Sequence, residues 1–172
     1  METTSPREWL QAVRADLVEL MRQDFGYPLD ANEIREPPVA ILFDVPPQLE
    51  DLYRIFDGAS LPDVHVGYFI DEAGRVASAP QRGEPSVVAG DPDVPIHVFG
   101  SDGGGGRFAI GVSDGAVYYL PSSGAVREGR YIQDDRSPVR QVAPNVGGFL
   151  SRLQEDIHAF VHGETSHEYM AR

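Results

Sequence analysis

The sequence predicts a single α+β domain, residues 1–172, in which a mostly antiparallel central sheet is flanked by two N-terminal helices and one C-terminal helix. Three observations predict this class. Apolar residues recur at helical spacing near both ends of the chain. The middle of the chain consists of short apolar runs separated by glycine and proline, and an Asp-Gly dipeptide there is typical of a tight hairpin.

The first helix begins at Pro6. Ser5 precedes it as the N-cap, and Glu8 stands three residues after Ser5, which completes a capping box. We expect Gly26 to end the element. The apolar side chains between these signals follow one helical face, and they are Trp9, Val13, Leu17, Leu20 and Met21.

A second helix is predicted from Pro46-Pro47 to Gly58, after a short buried strand over 39–43. Proline suits the first turn of a helix, and glycine suits the position just after its end. The apolar residues between them share one face, and they are Leu49, Leu52, Tyr53 and Phe56.

The middle of the chain is predicted to form the sheet. Strand patterns cover 64–71, 96–99 and 107–112, and a further strand is predicted near Tyr131. Asp114-Gly115 joins the third of these to a strand over 116–120 as a tight hairpin. The stretch 73–93 is rich in glycine, proline and alanine and has no period, so we expect a surface loop there.

The last predicted element is a helix from about Val146 to His162. Gly163 ends it, and residues 163–172 are expected to be a flexible tail. The side chains that would face inward are Phe149, Leu153, Ile157 and Phe160.

The composition excludes several classes of function. The chain has 27 acidic and 14 basic residues, a net charge of −13, and every basic residue is arginine. Because binding to nucleic acid needs clustered basic side chains, no nucleic-acid partner is expected. The absence of cysteine excludes disulfide scaffolds, cysteine-ligated zinc, iron–sulfur clusters and thiol catalysis, and the absence of lysine excludes Schiff-base chemistry. No cofactor is predicted.

The negative charge is uneven along the chain. The net charge is −7 over residues 1–60, −5 over 61–120 and −1 over 121–172. One explanation is a solvated acidic surface that keeps the protein dispersed. The other is a surface complementary to a basic protein partner, which electrostatic attraction would bring to it faster.

Nothing in the sequence predicts a secretory signal or a membrane segment. The N-terminal residues METTSPREWLQAV lack an apolar core. The longest apolar run, 39–43, is far shorter than the roughly 20 residues of a membrane span. We therefore expect a cytoplasmic protein without a membrane partner.

One motif resembles that of a serine hydrolase. Residues 111–115 match G-x-S-x-G with Ser113 at the nucleophile position. That motif needs a helix after the serine, whereas a strand pattern follows here. A hairpin turn explains the residues better. A hydrolase that uses Ser113, or the histidine pair described next, is the least favoured hypothesis, after a protein-binding domain and a small-ligand site.

The histidine pair lies on the last predicted helix. His158 and His162 are four residues apart, a spacing that can hold a metal ion on one face. The general-base glutamate of a metalloprotease is missing from the adjacent position. Exposed histidines near a helix C-terminus explain the pair more simply, so no metal site and no catalytic residue is predicted.

The glycine-rich segment 100–107 offers an alternative function. Consecutive glycines can direct several backbone N–H groups toward one anion, and Arg107 would add a positive charge. The segment lacks the lysine and the helix of a P-loop. A small-ligand or anion site would use Gly103, Gly104, Gly105, Gly106 and Arg107.

Four segments in order resemble the SUKH superfamily, which contains the Smi/Knr cell-wall-assembly regulators of fungi and many bacterial proteins. Pro47–Gly58 is similar to its Pro-x-x-hydrophobic helix, and Phe99–Ile110 is similar to its FGxDGGGxxhAh pattern, where h is apolar. Residues 114–119 resemble its next strand pair, and Phe149-Leu150 resembles the opening of its last helix. The resemblance covers about residues 46–162, and the loop at 73–93 would be an insertion.

The resemblance implies an α+β domain without catalytic residues. Bacterial members are mostly inferred to be immunity proteins that bind and neutralise polymorphic toxins, often nucleases. We therefore expect a protein-binding domain, either an immunity protein whose partner is a basic toxin domain or a regulatory interaction module. The acidic residues near the glycine segment and the second helix would contact the partner, and they are Asp57, Asp63, Asp102 and Asp114.

Overall fold

The computed structural model describes residues 3–26, 28–37 and 44–171, which form a mixed α and β structure. The helices are α1 (Pro6–Leu20), α2 (Glu50–Tyr53), α3 (Ala73–Ala77) and α4 (Val146–Val161), and short 3-10 turns cover Pro47–Leu49 and Pro80–Arg82. The strands are β1 (Glu33–Ile34), β2 (Ala59–Leu61), β3 (Tyr68–Ile70), β4 (Val87–Val88), β5 (Val94–Asp102), β6 (Arg107–Gly111), β7 (Val117–Leu120), β8 (Ala125–Arg127), β9 (Arg130–Ile132) and β10 (Arg140–Ala143).

The long strand β5 organises the sheet. Along one edge it pairs with β6, which is followed by β7 and β10. Along its other edge, β4 pairs with its beginning and β3 with its end, so that one branch continues through β9 and β8 and the other through β2 and β1. Every pair in these ladders is antiparallel except β4 with β9. The predicted α+β class with a mostly antiparallel sheet is confirmed.

The sheet separates two groups of buried side chains because successive residues of a strand point to opposite faces. On one face, Phe108 of β6 packs in the main core together with residues of α1, α2 and α4. On the other face, Ala109 packs with Val88 of β4 and Tyr131 of β9 in a smaller core. In the main core the Trp9 ring lies 5.0 Å from that of Phe56, measured between centroids.

The elements with strong local signals are confirmed. Ser5 accepts a hydrogen bond from the Glu8 backbone while the Glu8 carboxylate accepts one from the Ser5 backbone, which is the predicted capping box of α1. The helix ends at Leu20, before Gly26. β6 and β7 form the predicted hairpin, and Gly115 adopts the positive φ of +69° that favours glycine in its turn. α4 matches the predicted last helix.

Several predictions for the first half of the chain are wrong or incomplete. The second helix is only a 3-10 turn followed by the four residues of α2, although the predicted apolar residues are buried. The predicted strand 64–71 shortens to β3, because His65 and Gly67 have φ values of +53° and +88° that interrupt an extended chain. β1, β2, β8 and β10 were not predicted, and the strand predicted over 39–43 lies outside the described residues.

The stretch 73–93 is not only a loop. It contains α3, a 3-10 turn and β4. Its few apolar side chains explain the structure, since Ala73, Val76 and Ala79 are buried on the side that faces the domain and Val88 enters the smaller core. A segment this short needs only a few inward-facing residues, so it shows no clear period in the sequence.

The C-terminal segment after α4 packs on the domain, although the sequence predicts a flexible tail there. Met170 and Ala171 are each 1% exposed. The buried carboxylate of Asp156 accepts a hydrogen bond of 3.0 Å from the Met170 backbone and lies 2.6 Å from His167 Nε2. Arg140 donates to the Met170 carbonyl at 2.9 Å. These contacts are made across the fold, and polar composition alone does not reveal them.

None of the described helices is both long enough and apolar enough to cross a lipid bilayer.

Candidate functional site

The glycine-rich segment is closed around a carboxylate of its own. Asp102 is 7% exposed, and its Oδ1 accepts hydrogen bonds of 2.8 Å from the backbone N–H groups of Gly104 and Gly106. Its Oδ2 accepts a third bond, 2.6 Å long, from the Tyr119 hydroxyl. Burial, followed by this hydrogen bond, raises the pKa of Tyr119, so the phenol stays protonated as the donor. The glycine N–H groups thus form an anion-binding concavity, called a nest, and the Asp102 carboxylate of the same chain occupies it.

The remaining donors of the segment are also used within the chain. Gly103 donates its backbone N–H to the Gly67 carbonyl at 3.2 Å, and Gly105 donates to the backbone carbonyl of Asp102 at 3.4 Å. Arg107 Nε lies 2.5 Å from a Glu84 carboxylate oxygen, which neutralises its charge. The predicted anion site at 103–107 therefore does not fit the structure, because an external anion would have to displace Asp102 and Glu84.

Two more of the acidic residues predicted to contact the partner accept hydrogen bonds from within the fold. Asp57 Oδ1 accepts a hydrogen bond of 2.8 Å from the backbone of Ala73, at the start of α3. Asp63 Oδ2 accepts one of 2.7 Å from the Asn32 side chain. Together with the burial of Asp102, these bonds give three of the four predicted contact residues a structural role. Asp114 also accepts hydrogen bonds, from the Ala116 backbone and the Tyr118 hydroxyl, but it is the exposed one of the four and lies on an open, acidic surface.

That surface is a cleft of about 530 Å³ at the end of the domain where α1 and α4 begin. We call it the acidic cleft. Carboxylates from three elements line it: Glu8 in the first turn of α1, Asp51 in α2 and Asp114 in the β6–β7 turn. No arginine is among the described residues that line it. The complete lining is Thr3, Thr4, Ser5, Pro6, Glu8, Gln48, Asp51, Leu52, Asp114, Gly115, Asn145, Val146 and Gly147.

Backbone and hydroxyl contacts fix the walls of the acidic cleft. Thr4 donates its backbone N–H to the Ser151 hydroxyl at 3.0 Å and to the Gly147 carbonyl at 3.3 Å, which holds the entry to α1 against the first turns of α4. Asn145 caps α4 by accepting a 2.8 Å bond from the Gly148 backbone. Gln48 contacts the hairpin and donates to the Val112 carbonyl at 3.4 Å.

Two carboxylates of the acidic cleft, those of Asp114 and Glu8, are held in their charged form by hydrogen bonds. A hydrogen bond from the Tyr118 hydroxyl and another from the Ala116 backbone lower the pKa of Asp114, and the same phenol bond raises the pKa of Tyr118 to about 12. Bonds from the Ser5 side chain and backbone lower the pKa of Glu8. The cleft therefore keeps these negative charges until the pH falls below the ordinary range of carboxyl groups, about 4.

Asp51 has a basic neighbour outside the cleft. Its carboxylate lies 2.7 Å from Arg54 Nη1, but Arg54 also pairs with Glu50 at 2.8 Å. One guanidinium is thus shared by two carboxylates, which leaves this group of three with a net negative charge. Asp51 and Arg54 are exposed and Glu50 is half-buried, so the Asp51–Arg54 pairing is readily exchanged for another partner.

An apolar rim adjoins the acidic cleft. Gln48 also lines a neighbouring depression of about 380 Å³, where Asp44, Pro46 and Val112 lie. Val112, which directly follows β6, is 54% exposed and adds apolar surface there. Negative charge beside exposed apolar surface is an arrangement that suits a protein partner with a basic and partly apolar face.

The hydrolase hypothesis gains no support from the geometry. Ser113 lies in the exposed β6–β7 turn and leads into a strand rather than a helix. Among the described residues, no hydrogen bond links Ser113 to a histidine. His158 and His162 instead lie beside Asp16 of α1, with 3.2 Å and 3.6 Å from its Oδ1 to the nearest ring nitrogens.

Sequence reasoning missed most of the acidic cleft. Glu8 was recognised only as part of a capping box, and Gln48 and Asp51 lie in the segment that resembles the SUKH helix without being singled out. The one available signal was Asn145, which precedes the apolar period of α4 as an N-cap does. The cleft itself depends on three elements meeting at one end of the fold.

No protein-family model matches the chain, and the comparisons with curated proteins and with solved structures find no match either. Function is therefore inferred from the geometry and charge of the chain itself.

Proposed function

We propose that this chain is a non-catalytic protein-binding domain whose acidic cleft receives a basic surface of its partner. The observation that carries the proposal is the lining of the cleft, whose described residues include three carboxylates and no arginine. A partner that supplies the missing positive charges would exchange the hydration of Glu8 and Asp114 for direct ion pairs. It would also be attracted over a distance, because the whole chain has a net charge of −13.

The resemblance to the SUKH superfamily directs the choice of partner. The four segments that carry it fall in order on α2, on β5 with β6, on the β6–β7 hairpin and on α4. The first of these segments supplies Asp51 and the third supplies Asp114. The last segment lies on α4, and that helix begins at the cleft. On that basis we propose a SUKH-like domain that acts as an immunity protein toward a basic toxin nuclease, with a regulatory interaction module as the other form of the same binding function.

A co-expression experiment tests the proposal. The chain is produced together with candidate basic toxin nuclease domains, beginning with any that is encoded next to it, and both protection of the cells and co-purification of the two proteins are measured. We expect both. Absence of protection and of co-purification would overturn the immunity assignment, and co-purification without protection would assign the regulatory form.

Neutralising the acidic cleft is expected to weaken this association. The variant Glu8→Gln, Asp51→Asn, Asp114→Asn removes three charges, while glutamine at position 8 can still complete the capping box. We expect the association rate with the nuclease domain to fall about tenfold or more at low salt. The free energy of unfolding, measured in urea, should fall only modestly, because the side chains are exposed and each amide keeps one oxygen that can accept from the Ser5 or Ala116 backbone.

A charge-matched variant provides the control. Glu155→Gln, Glu164→Gln, Glu168→Gln removes three exposed carboxylates from α4 and the segment after it. Glu155 lies about 12 Å along the helix axis from Gly147 at the cleft. We expect this control to bind almost as fast as the unaltered chain. Equal losses in both variants would show that total charge, not the acidic cleft, governs the association.

A further inference from the structure

Three side chains that commonly bind metal ions meet where the first and last helices pack together. His158 and His162 lie one turn apart at the C-terminal end of α4, and Asp16 of α1 lies between them and the core. Asp16 Oδ1 is 3.2 Å from His158 Nδ1 and 3.6 Å from His162 Nε2. One ligand atom from each residue lies within 4.8 Å of the others.

These separations suit a single divalent ion. Ligand atoms placed tetrahedrally at 2.0–2.1 Å from zinc are about 3.3 Å from one another. The two distances from Asp16 lie on either side of that value, and the ligand nitrogens of the two histidines are within 4.8 Å of each other, so the rings must turn toward one point to hold a single ion. Four-residue spacing on a helix places both rings on the same face.

The surroundings of the cluster favour a bound cation. The Asp16 side chain is 12% exposed, whereas those of His158 and His162 are 55% and 45% exposed. Among the described residues, the two histidines are the only groups that form an ion pair or side-chain hydrogen bond with the Asp16 carboxylate. The carboxylate is thus mostly shielded from solvent, while an ion can reach the more exposed imidazoles.

We propose that Asp16, His158 and His162 form a binding site for a divalent transition-metal ion of the zinc class. Two imidazoles and one carboxylate are a ligand set that such ions accept, and water completes the coordination. The bound ion cross-links α1 to α4 across 142 residues of sequence. Since the unfolded chain does not hold these ligands together, the ion stabilises the folded domain. The site is separate from the acidic cleft and independent of the function proposed for it.

Zinc titration of the full chain, stripped of metal and free of a histidine tag, tests the proposal. Calorimetry should give one zinc ion per chain, and the melting temperature should rise by about 5–10 °C when free zinc is 100 times its Kd. Cobalt(II) should bind in the same place and give the visible absorption of a cobalt ion with a low coordination number. Added zinc should displace the cobalt and abolish this absorption.

Three variants make the result specific. Asp16→Asn and the double variant His158→Gln, His162→Gln should each lose both the binding heat and the thermal shift. Glu155→Gln, which removes an exposed carboxylate one turn before His158, should keep both. Far-ultraviolet circular dichroism of the metal-free proteins checks that each is folded, and His162→Gln alone, at an exposed position, serves as a milder second test.

Two results would overturn the site. One is no zinc binding by the unaltered chain at millimolar zinc, which would leave the cluster as a histidine–carboxylate ion pair near the negative end of α4. The other is unchanged affinity in Asp16→Asn, which would show that the helix histidines bind zinc without the cross-link to α1.

Discussion

Replacing Asp156 with alanine is expected to lower the free energy of unfolding by about 3–5 kcal/mol. Asp156 is 1% exposed, and its carboxylate joins three parts of the chain. Oδ2 accepts a 2.5 Å bond from the Tyr68 hydroxyl of β3 and a 3.0 Å bond from the Met170 backbone, and Oδ1 lies 2.6 Å from His167 Nε2. Alanine leaves the buried phenol and the buried backbone N–H without this acceptor.

Urea unfolding measures the effect, and hydrogen exchange locates it. In Asp156→Ala, the backbone amide of Met170 should lose protection before the rest of the domain does, because its acceptor is gone. Glu155→Gln, at the neighbouring but exposed position on α4, should change stability by only a few tenths of a kcal/mol. A loss of less than 1 kcal/mol in Asp156→Ala would contradict the anchoring role of this carboxylate.

Replacing Asp102 with alanine is expected to cost about 2–4 kcal/mol of stability. The change removes the acceptor for the backbone N–H groups of Gly104 and Gly106 and for the Tyr119 hydroxyl. Gly106 and Tyr119 are buried, so water cannot easily replace the lost acceptor there, whereas Gly104 is exposed. The glycine segment should then open, with faster amide exchange at Gly106.

Asparagine at position 102 separates the charge from the hydrogen bonds. Its amide oxygen can still accept from the two glycines, while its NH₂ group faces the Tyr119 hydroxyl. We expect Asp102→Asn to lose less stability than the alanine variant. Both variants should bind the partner normally under conditions where they are folded, since Asp102 does not line the acidic cleft. A specific loss of binding in folded Asp102→Asn would instead support the sequence-based assignment of Asp102 to the interface.

Local signals in the sequence predict part of the fold well. Two examples are the capping box at Ser5 and Glu8 and the Asp114-Gly115 turn. The interacting residues of each lie within a few positions of one another, so both can be recognised from the sequence alone. α2 was predicted too long because its apolar face continues to Phe56 through residues that pack without remaining helical. Buried position and helical conformation are separate properties, and periodicity alone does not distinguish them.

The site could not be predicted in the same way, because its geometry depends on contacts that are distant in sequence. In the walls of the acidic cleft, the Thr4–Ser151 bond spans 147 residues and the Gln48–Val112 bond spans 64. The segment 102–107 looks like an anion-binding loop because its glycines are prominent, whereas the carboxylate that fills it is an ordinary aspartate in the sequence. Asp57 and Asp63 were selected for nearness to a motif, but both are partly buried and hydrogen-bonded within the fold, whereas Asp114 stays exposed although it also accepts internal bonds.

The central claim, that the acidic cleft binds a basic partner, is tested most directly by the salt dependence of association. The association rate constant of the partner nuclease domain is measured from low ionic strength up to about 0.15 M for the unaltered chain and the cleft variant Glu8→Gln, Asp51→Asn, Asp114→Asn. The account predicts a steep fall of the rate with salt for the unaltered chain and a much shallower one for the cleft variant. Identical rates and identical salt dependence for the two proteins would contradict it.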